Sequence, residues 1–345
     1  MVSESICRFV IAVPDRISSI RDHEFQFDRY APETHGKSFR FGAGKLGQIR
    51  NQIRINNLGW HSGKDYQLKA ERDPSRSLVA IIGDSYIENR YCDVSTHLAE
   101  QLDGLIGERC DVYAFGRDGA NLLQLVNMTR YVAEKFDPDL IVYFARDGSI
   151  SRSVRELTPI NQVTQFQFSD GDRKVRKADL PQTRVHERWL MQNVASLRYL
   201  RSNFKLSIRN PLRLRRVTQK SNPMSGSRRA QWLISASDSV VNEIQKLNDE
   251  RPFLFVFDAN RKLIYGDSSE NRQEESLILS KSCMGLGVPF LNLTEHFKAV
   301  YALSGERFEF SSNYHWNEYG NATASQALHA YVEDLELLKN LGSTP

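Results

Sequence analysis

Mainly apolar runs alternate with longer segments of helical hydrophobic spacing along most of this chain. Such runs are typical of strands covered on both faces of a parallel sheet, and they lie at 78–82, 110–115, 140–144, 253–257 and 288–293. Apolar residues at helical spacing occupy the segments 94–106, 122–136, 230–247, 276–284 and 321–338. Because strand–helix units in sequence imply parallel pairing with right-handed crossovers, we predict an α/β fold. Its architecture should be a three-layer α/β/α sandwich with a parallel central sheet.

Two regions of the chain do not follow this rhythm. Residues 1–77 contain two stretches in which apolar and polar positions alternate, as in half-exposed strands, at 24–30 and 49–56. The region of about 148–230 contains a helix-like pattern over 189–204, followed by Pro and Gly breaks. We therefore predict a β-rich N-terminal extension over 1–77, packed on a core domain over 78–345. A helical cap should be inserted into that core at about 148–230.

Composition is that of an ordinary globular protein, and charge is concentrated in one segment. The 345 residues are 40% hydrophobic and 26% charged, with a net charge of +4, which does not by itself indicate a nucleic-acid partner. Between Arg201 and Arg229 there are nine Lys or Arg and no acidic residue. The favoured interpretation is a solvated, mobile part of the cap. The alternative is a patch that contacts an anionic polysaccharide or a membrane surface.

Cysteine spacing and hydropathy predict no metal, no cofactor and no membrane span. The four cysteines, Cys7, Cys92, Cys110 and Cys283, are scattered without metal-ligand spacing; in a secreted protein Cys92 could pair with Cys110. No apolar run reaches the roughly 18 residues that a spanning helix needs. The apolar start of the chain is short, is broken by Arg8 and has no basic region before it. The expected location is therefore the cytoplasm.

A candidate nucleophile follows the first buried strand. The run 78–82 ends in Gly83-Asp84-Ser85, and ligands of open α/β sheets bind outside the carboxyl ends of the strands. The alternative is an ordinary turn into a helix, with Asp84 or Ser85 as its N-cap. Residues 42–47 match the GxGxxG pattern of dinucleotide sites. No buried apolar strand precedes them and a strand-like pattern follows, so the context of such a site is missing.

A candidate base precedes the last predicted helix. A serine hydroxyl is a weak nucleophile at pH 7 and needs an adjacent base. Among eight histidines, His315 lies in a loop where sequence-distant residues return to the strand ends. The alternative is a structural histidine packed beside Trp316.

Three sequence blocks resemble those of the SGNH (GDSL-type) hydrolases over about 78–335. They are Gly83-Asp84-Ser85, Phe115-Gly116-Arg117-Asp118-Gly119-Ala120-Asn121, and His315-Trp316-Asn317 with Gly320. The resemblance implies a flavodoxin-like sandwich in which Ser85 attacks an acyl carbonyl and His315 takes its proton. It also implies that the N–H groups of Ser85 and Gly119 hold the oxyanion, with Asp84 beside the nucleophile.

Two positions depart from the pattern of that family. The family's Asp stands two or three residues before the histidine, where this chain has Asn313 and Ser312. The site is then a Ser–His dyad, a Ser–His–Asn variant, one in which Glu309 or Glu318 substitutes, or one whose activity has decayed. The family's Asn donor corresponds to Arg146, which either donates to the oxyanion or pairs with Asp147. Asn121 is an alternative donor.

The resemblance implies a serine-dependent acyl-ester hydrolase or O-acetyltransferase that acts on an acylated carbohydrate. The substrate class follows by analogy with the His-Trp form of the histidine block in alginate acetylation proteins, and the sequence does not separate hydrolysis from transfer. The expected partner is therefore a small-molecule or oligosaccharide acyl ester, not nucleic acid. The rival hypothesis is a catalytically weakened carbohydrate-binding or scaffold protein, motivated by Arg146 and by the uncharged Ser312 and Asn313.

Overall fold

The computed structural model describes residues 5, 15, 17–42, 45–107, 110–160, 163–169, 172–176, 190, 193–197, 226–266, 274–311 and 313–337. Its strands are β1 (Ser19–Asp22), β2 (Phe27–Tyr30), β3 (His35–Gly42), β4 (Lys45–Arg54), β5 (Ser77–Gly83), β6 (Cys110–Gly116), β7 (Leu140–Ala145), β8 (Gln165–Ser169), β9 (Asp172–Arg176), β10 (Phe253–Phe257), β11 (Phe290–Asn292), β12 (Glu309–Phe310) and β13 (Asn313–Trp316). Its helices are α1 (Ser85–Glu88), α2 (Leu98–Ile106), α3 (Leu122–Phe136), α4 (Gly226–Asn248), α5 (Arg261–Ile264), α6 (Glu274–Gly285), α7 (Thr294–Ser304) and α8 (Glu318–Asp334).

The five predicted buried strands form one parallel sheet. Its order is β11-β10-β7-β5-β6, and every pairing within it is parallel. Counted along the chain this is the doubly wound order 2-1-3-4-5, which places a crevice where the strand order reverses, between β5 and β7. The predicted α/β fold with a parallel central sheet is confirmed.

Alternate residues of each strand enter separate cores on the two faces of the sheet. Leu78, Ala80 and Ile82 of β5 pack with apolar residues of α3, α4 and α6. Val79 and Ile81 pack on the other face with residues of α2, α7 and α8. Both faces are therefore covered, which is why the strands are apolar throughout rather than alternating.

The described part of the N-terminal region contains two hairpins and joins the first of these cores. Phe27 of β2 stacks on Trp60 at 5.8 Å between ring centroids and meets Tyr131 of α3 edge-on at 5.3 Å. The strand expected over 24–30 is interrupted, because Asp22 accepts a hydrogen bond from the Phe25 N–H and closes the turn between β1 and β2. The glycine-rich stretch 42–47 connects antiparallel β3 and β4, so it does not have the strand-to-helix setting of a dinucleotide site.

The described part of the insertion includes strands where a helical cap was expected. β8 and β9 form an antiparallel hairpin, and Phe168 stacks on Trp232 of α4 at 5.6 Å. Alternation of Gln and Phe along β8 buries Phe166, which favours a strand over a helix. The helix expected over 189–204 lies mostly, and the basic run up to residue 225 lies wholly, outside the described residues.

One further expectation needs correction, and the expectation of buried thiols holds for three cysteines. The helix expected over 94–106 begins as a 3₁₀ turn over Val94–Thr96, which Asp93 caps, and it breaks at His97, whose backbone is extended. Cys92, Cys110 and Cys283 are buried and form no disulfide with one another, so Cys92 and Cys110 are not bridged. Across the part of the chain that the structure describes, every helix is too short or too polar to cross a membrane.

Candidate active site

Ser85 lies at the carboxyl end of β5 as the first residue of α1. Asp84 is the N-cap of this helix, and its Oδ1 accepts a hydrogen bond from the Tyr86 N–H at 3.0 Å. The Ser85 N–H has no partner inside the helix, because the first N–H groups of a helix never do. Gly116 permits the close packing of α1 on β6, since a Cβ there would stand 2.0 Å from the Glu88 nitrogen.

His315 is brought to Ser85 by the short strand β13. Its Nε2 lies 2.8 Å from Ser85 Oγ, and its Nδ1 lies 2.7 Å from Asn313 Oδ1. An amide oxygen can only accept, so Nδ1 carries the proton and Nε2 presents its lone pair to the serine hydroxyl. Ser85, His315 and Asn313 therefore form one hydrogen-bonded chain, with the tautomer that proton abstraction from Ser85 requires.

Burial lowers the pKa of His315 to about 4. Arg146 and Arg261 lower it further by repulsion of the imidazolium, while Asp84 and Asp118 act in the opposite direction. At neutral pH the ring is therefore uncharged, the protonation state that a general base needs. Because Asn313 brings no charge to Nδ1, it orients the ring but adds little stabilisation of the imidazolium.

Arg146 follows β7 and lies against the nucleophile turn. Its Nε donates to Asp84 Oδ2 at 2.6 Å, and its Nη1 donates to the main-chain oxygen of Asp147 at 3.1 Å. The carboxylate that pairs with Arg146 is thus Asp84 rather than Asp147, and the guanidinium stays at the site. The Asp84 side chain is 4% exposed, and each of its oxygens accepts a hydrogen bond, one from the Tyr86 N–H and one from Arg146.

Of the two other expected donors, Gly119 has the backbone conformation of a turn glycine and Asn121 does not supply a free amide. Gly119 has a φ of +84°, which disfavours any side chain, and its oxygen accepts from Arg152 at 2.8 Å. Asn121 caps α3 through Oδ1 on the Gln124 N–H, and its Nδ2 donates to the carbonyl oxygens of Arg152 and Thr164. Both N–H bonds of the Asn121 amide are thus directed at main-chain carbonyl oxygens, which leaves neither for an oxyanion in this structure.

The other candidate acids do not reach His315. Glu309 accepts hydrogen bonds from Tyr265 at 2.7 Å and from Arg261 at 3.4 Å. Both ring nitrogens of His315 are already bonded to Ser85 and Asn313, which leaves none for Glu309 or for Glu318 at the start of α8. Ser312 lies outside the described residues.

The N-terminal region contacts the end of α1 through a buried charged cluster. Glu88, the last residue of α1, accepts from the Tyr30 hydroxyl and lies 3.4 Å from Arg117. The Arg117 guanidinium stands 4.2 Å from the centre of the Tyr30 ring, and His61 Nδ1 donates to the Glu88 main-chain oxygen at 2.8 Å. The helix that carries Ser85 is therefore anchored at both of its ends.

Four residues that the sequence reading did not single out also surround His315 or its strand. The rings of Tyr86 and Tyr91 lie 5.0 and 4.4 Å from the His315 ring. Asp258 and Arg261 bind the neighbours of His315. Two of them could have been found from their places in the sequence, since Tyr86 directly follows Ser85 and Asp258 directly follows the buried strand β10.

A cavity of about 980 Å³ adjoins the hydrogen-bonded chain. Its walls come from α1, from the segments after β7, β10 and β11, and from the β12–β13 ribbon, and they include Tyr86, Arg146, Arg261, Asn313 and Tyr314. This is the size of a small-molecule or oligosaccharide site, at the sheet edge where such sites form. Within the described ranges, no three His, Cys, Asp or Glu side chains are grouped so as to hold a metal ion.

No family model matches this sequence, and no curated protein sequence matches it. Solved structures with a similar fold include a member of the lipolytic G-D-S-L family from Veillonella parvula, at 9% identity over 73% of this chain and 95% of that one (TM-score 0.40). A carbohydrate acetylesterase family member from Sinorhizobium meliloti is 11% identical over 76% and 99% (TM-score 0.40). An acetyl xylan esterase is 11% identical over 74% and 99% (TM-score 0.43).

Proposed function

We propose that this protein is a serine-dependent enzyme that hydrolyses an acyl ester or transfers its acyl group to another hydroxyl. The observation that carries the proposal is the chain from Ser85 Oγ through His315 to Asn313, with links of 2.8 and 2.7 Å. Such links join a nucleophile to a base and the base to an orienting group. Ser85 lies at the carboxyl end of β5, where ligands of open α/β sheets bind, and the neighbouring cavity meets the hydrogen-bonded chain at Asn313.

The reaction would proceed in two steps. His315 Nε2 takes the Ser85 proton while Oγ attacks the acyl carbon, and the tetrahedral oxyanion is held by the N–H groups of Ser85 and Gly119. The imidazolium then gives its proton to the leaving alcohol, which leaves an acyl group on Ser85. Water or a second hydroxyl, activated by His315 in the same way, releases that group as an acid or as a new ester. Arg146, bound to Asp84, adds positive charge near the oxyanion.

An acylated carbohydrate is the substrate class that we propose. Tyr314 is 73% exposed although it directly precedes His315, and it is one of the residues that line the cavity. An exposed aromatic face beside a reaction centre suits the apolar face of a sugar ring, and a Lys262 ammonium 5.7 Å from the centre of that ring adds a polar contact.

The second candidate is a carbohydrate-binding protein of the same fold with weak or absent catalysis. It is favoured by the neutral Asn313 at His315 and by Arg146, whose Nε is engaged by Asp84. It predicts glycan binding that survives loss of Ser85, and no covalent acyl intermediate.

A fluorophosphonate probe followed by intact mass spectrometry separates the two. We expect one adduct on Ser85, lost in Ser85→Ala and strongly reduced in His315→Ala. Ser75→Ala is the matched control, because Ser75 is an exposed serine whose hydroxyl donates to the Asp73 carboxylate and has no histidine bonded to it in the described structure. Labelling that persists in Ser85→Ala, or a folded parent protein that gives no adduct, would reject the enzyme. For a reactive protein, acetylated glycan incubated with and without an unacetylated acceptor distinguishes hydrolysis from transfer.

A further inference from the structure

The guanidinium of Arg261 joins the residue after the proposed nucleophile to the residue before the proposed base. Its Nη2 donates to the Tyr86 hydroxyl at 2.6 Å, and its Nη1 donates to the Tyr314 main-chain oxygen at 2.8 Å. The Tyr86 hydroxyl itself donates to the same Tyr314 oxygen at 2.6 Å. These three bonds form a closed ring that includes a neighbour of Ser85 and a neighbour of His315.

Asp258 extends this ring to the other side of His315. Its Oδ2 accepts from Arg261 Nη2 at 3.0 Å, and its Oδ1 accepts from the indole N–H of Trp316 at 3.0 Å. Trp316 is fully buried, so its N–H needs this acceptor. Both neighbours of His315, Tyr314 and Trp316, are thereby bound to one Asp–Arg pair.

Asp258 is hydrogen-bonded to the end of the central sheet, whereas β13, the strand that carries His315, belongs to a separate sheet. Among the described strands, β13 pairs only with β12, which is two residues long, and the two form a separate sheet. Asp258 directly follows β10, and its N–H donates to the Ala145 oxygen at the end of β7 at 2.9 Å. A short two-stranded ribbon is a weak support for a catalytic side chain, and the Asp–Arg pair connects it to the rigid part of the fold.

We propose that Arg261 and Asp258 are positioning residues that hold His315 at hydrogen-bonding distance from Ser85. This inference rests on the proposed function and extends it. Neither residue contacts the reacting atoms; both act through Tyr86, Tyr314 and Trp316.

The reaction rate should depend strongly on the position of the His315 ring, because that ring is bonded to Asn313 and Ser85 rather than to a carboxylate. A misplacement of about 1 Å by a remote change can lower a rate about 100-fold. Arg261 also influences the charge state of His315. The ionised groups that face His315 are Asp84 and Asp118, which favour the imidazolium, and Arg146 and Arg261, which oppose it. Removal of the Arg261 charge should therefore raise the pKa of His315.

The test compares Arg261→Met, Arg261→Lys and Tyr86→Phe with the parent. Arg130→Met is the matched control, since Arg130 pairs with Glu243 at 2.8 Å on the surface between α3 and α4. Two quantities are measured on folded protein: the rate constant of Ser85 phosphonylation by the fluorophosphonate, and the NMR titration of the His315 ring. The His315 signals are assigned by their absence from a His315→Asn spectrum.

We expect Arg261→Met to slow phosphonylation about 100-fold and to move the His315 titration to higher pH. Arg261→Lys should also slow the reaction but leave the titration nearly unchanged, because the charge remains. Tyr86→Phe should slow it less, since the bond from Arg261 to Tyr314 survives. Arg130→Met should match the parent.

Two results would overturn the positioning role. One is a lower melting temperature of the Arg261 variants with parental phosphonylation and titration of the folded fraction. The other is an unchanged His315 spectrum in all three variants. A parent protein that never reacts with the probe would reject the proposed enzyme instead, and the His315 spectra alone would then decide whether Arg261 sets the position and charge of that ring.

Discussion

Replacing Asn313 by Asp would show what His315 gains from a charged partner. Asn313 Oδ1 already accepts from His315 Nδ1 at 2.7 Å, so the substitution keeps the tautomer and the ring orientation. Its Nδ2 is buried and has no hydrogen-bond partner within the described part of the chain, so replacing the amide breaks no other bond there. The two side chains are nearly equal in size, and charge is therefore the main quantity that changes.

The expected effect follows from the distance between the new carboxylate and the imidazolium. With charge centres about 4 Å apart and an effective dielectric constant near 20, their attraction is about 4 kcal/mol. This corresponds to roughly three pKa units, less the unfavourable burial of the new carboxylate at a site that is 9% exposed. The pKa of His315 should rise from about 4 to at most roughly 7. A base with a pKa nearer to the working pH should accelerate phosphonylation of Ser85 about 10-fold.

The assay is the rate constant for fluorophosphonate labelling as a function of pH. His315 acts as a base only when neutral, so the rate falls as pH decreases through its pKa. The parent should keep its rate down to the lowest pH at which it is folded, whereas Asn313→Asp should lose rate near neutrality and exceed the parent at pH 8. Asn313→Ala, which removes the acceptor, should be slower than the parent at every pH. An Asp variant that is slower at pH 8, with an unmoved profile, would refute the assigned role of Asn313.

Gly116→Ala should destabilise the protein by several kcal/mol in urea unfolding, because its Cβ would stand 2.0 Å from the Glu88 nitrogen; Gly104→Ala, with open space around it, should be neutral or stabilising by up to about 1 kcal/mol. Equal effects of the two substitutions would contradict the close packing of α1 on β6. Burial lowers the pKa of His61 to about 4 and of His97 to about 3, so both are neutral when folded and protonate on unfolding below about pH 6.5. The free energy of unfolding should therefore decrease as pH falls from 6.5 towards 4, by up to about 2 kcal/mol per histidine at pH 5. His97→Gln should make this dependence of the unfolding free energy on pH weaker. An unchanged dependence would refute the lowered pKa of His97.

The central sheet could be predicted because its strands are buried on both faces. Each run is apolar irrespective of which core its alternate residues enter, so the pattern needs no knowledge of the fold. The β8–β9 hairpin has no such apolar run, and its only local signal is the alternation of Gln and Phe along β8, which the prediction of a helical cap did not use. Its apolar residues, such as Phe166 and Phe168, have partners on α3 and α4 only after the chain has folded.

The paired serine and histidine blocks gave Ser85 and His315 as candidates, but the orientation of His315 could not be read from them. Asn313, Ser312, Glu309 and Glu318 were all near enough in sequence to serve as its partner. The extended backbone of β13 selects Asn313, because a residue two positions before His315 on a strand points to the same face as His315.

The Asp258–Arg261 pair was also beyond the sequence, for a different reason. Arg261 reaches Tyr86 and Tyr314, which are 175 and 53 residues away along the chain. Strand order, rather than any local pattern, brings these residues together. A polar residue directly after a buried strand marks the edge of the sheet, but it does not show which other segments will meet there.

Each arginine at this site is matched by a carboxylate at a strand end. Asp84 after β5 binds Arg146, and Asp258 after β10 binds Arg261. Asp84 opposes the lowering of the His315 pKa by the two arginines, so part of their repulsion of the imidazolium is offset without a carboxylate on the ring. Such a site depends on the position of its base more than on a charge next to it. For this reason the loss of the Arg261 guanidinium should slow the reaction by a larger factor, about 100-fold, than the charge added by Asn313→Asp should accelerate it, about 10-fold.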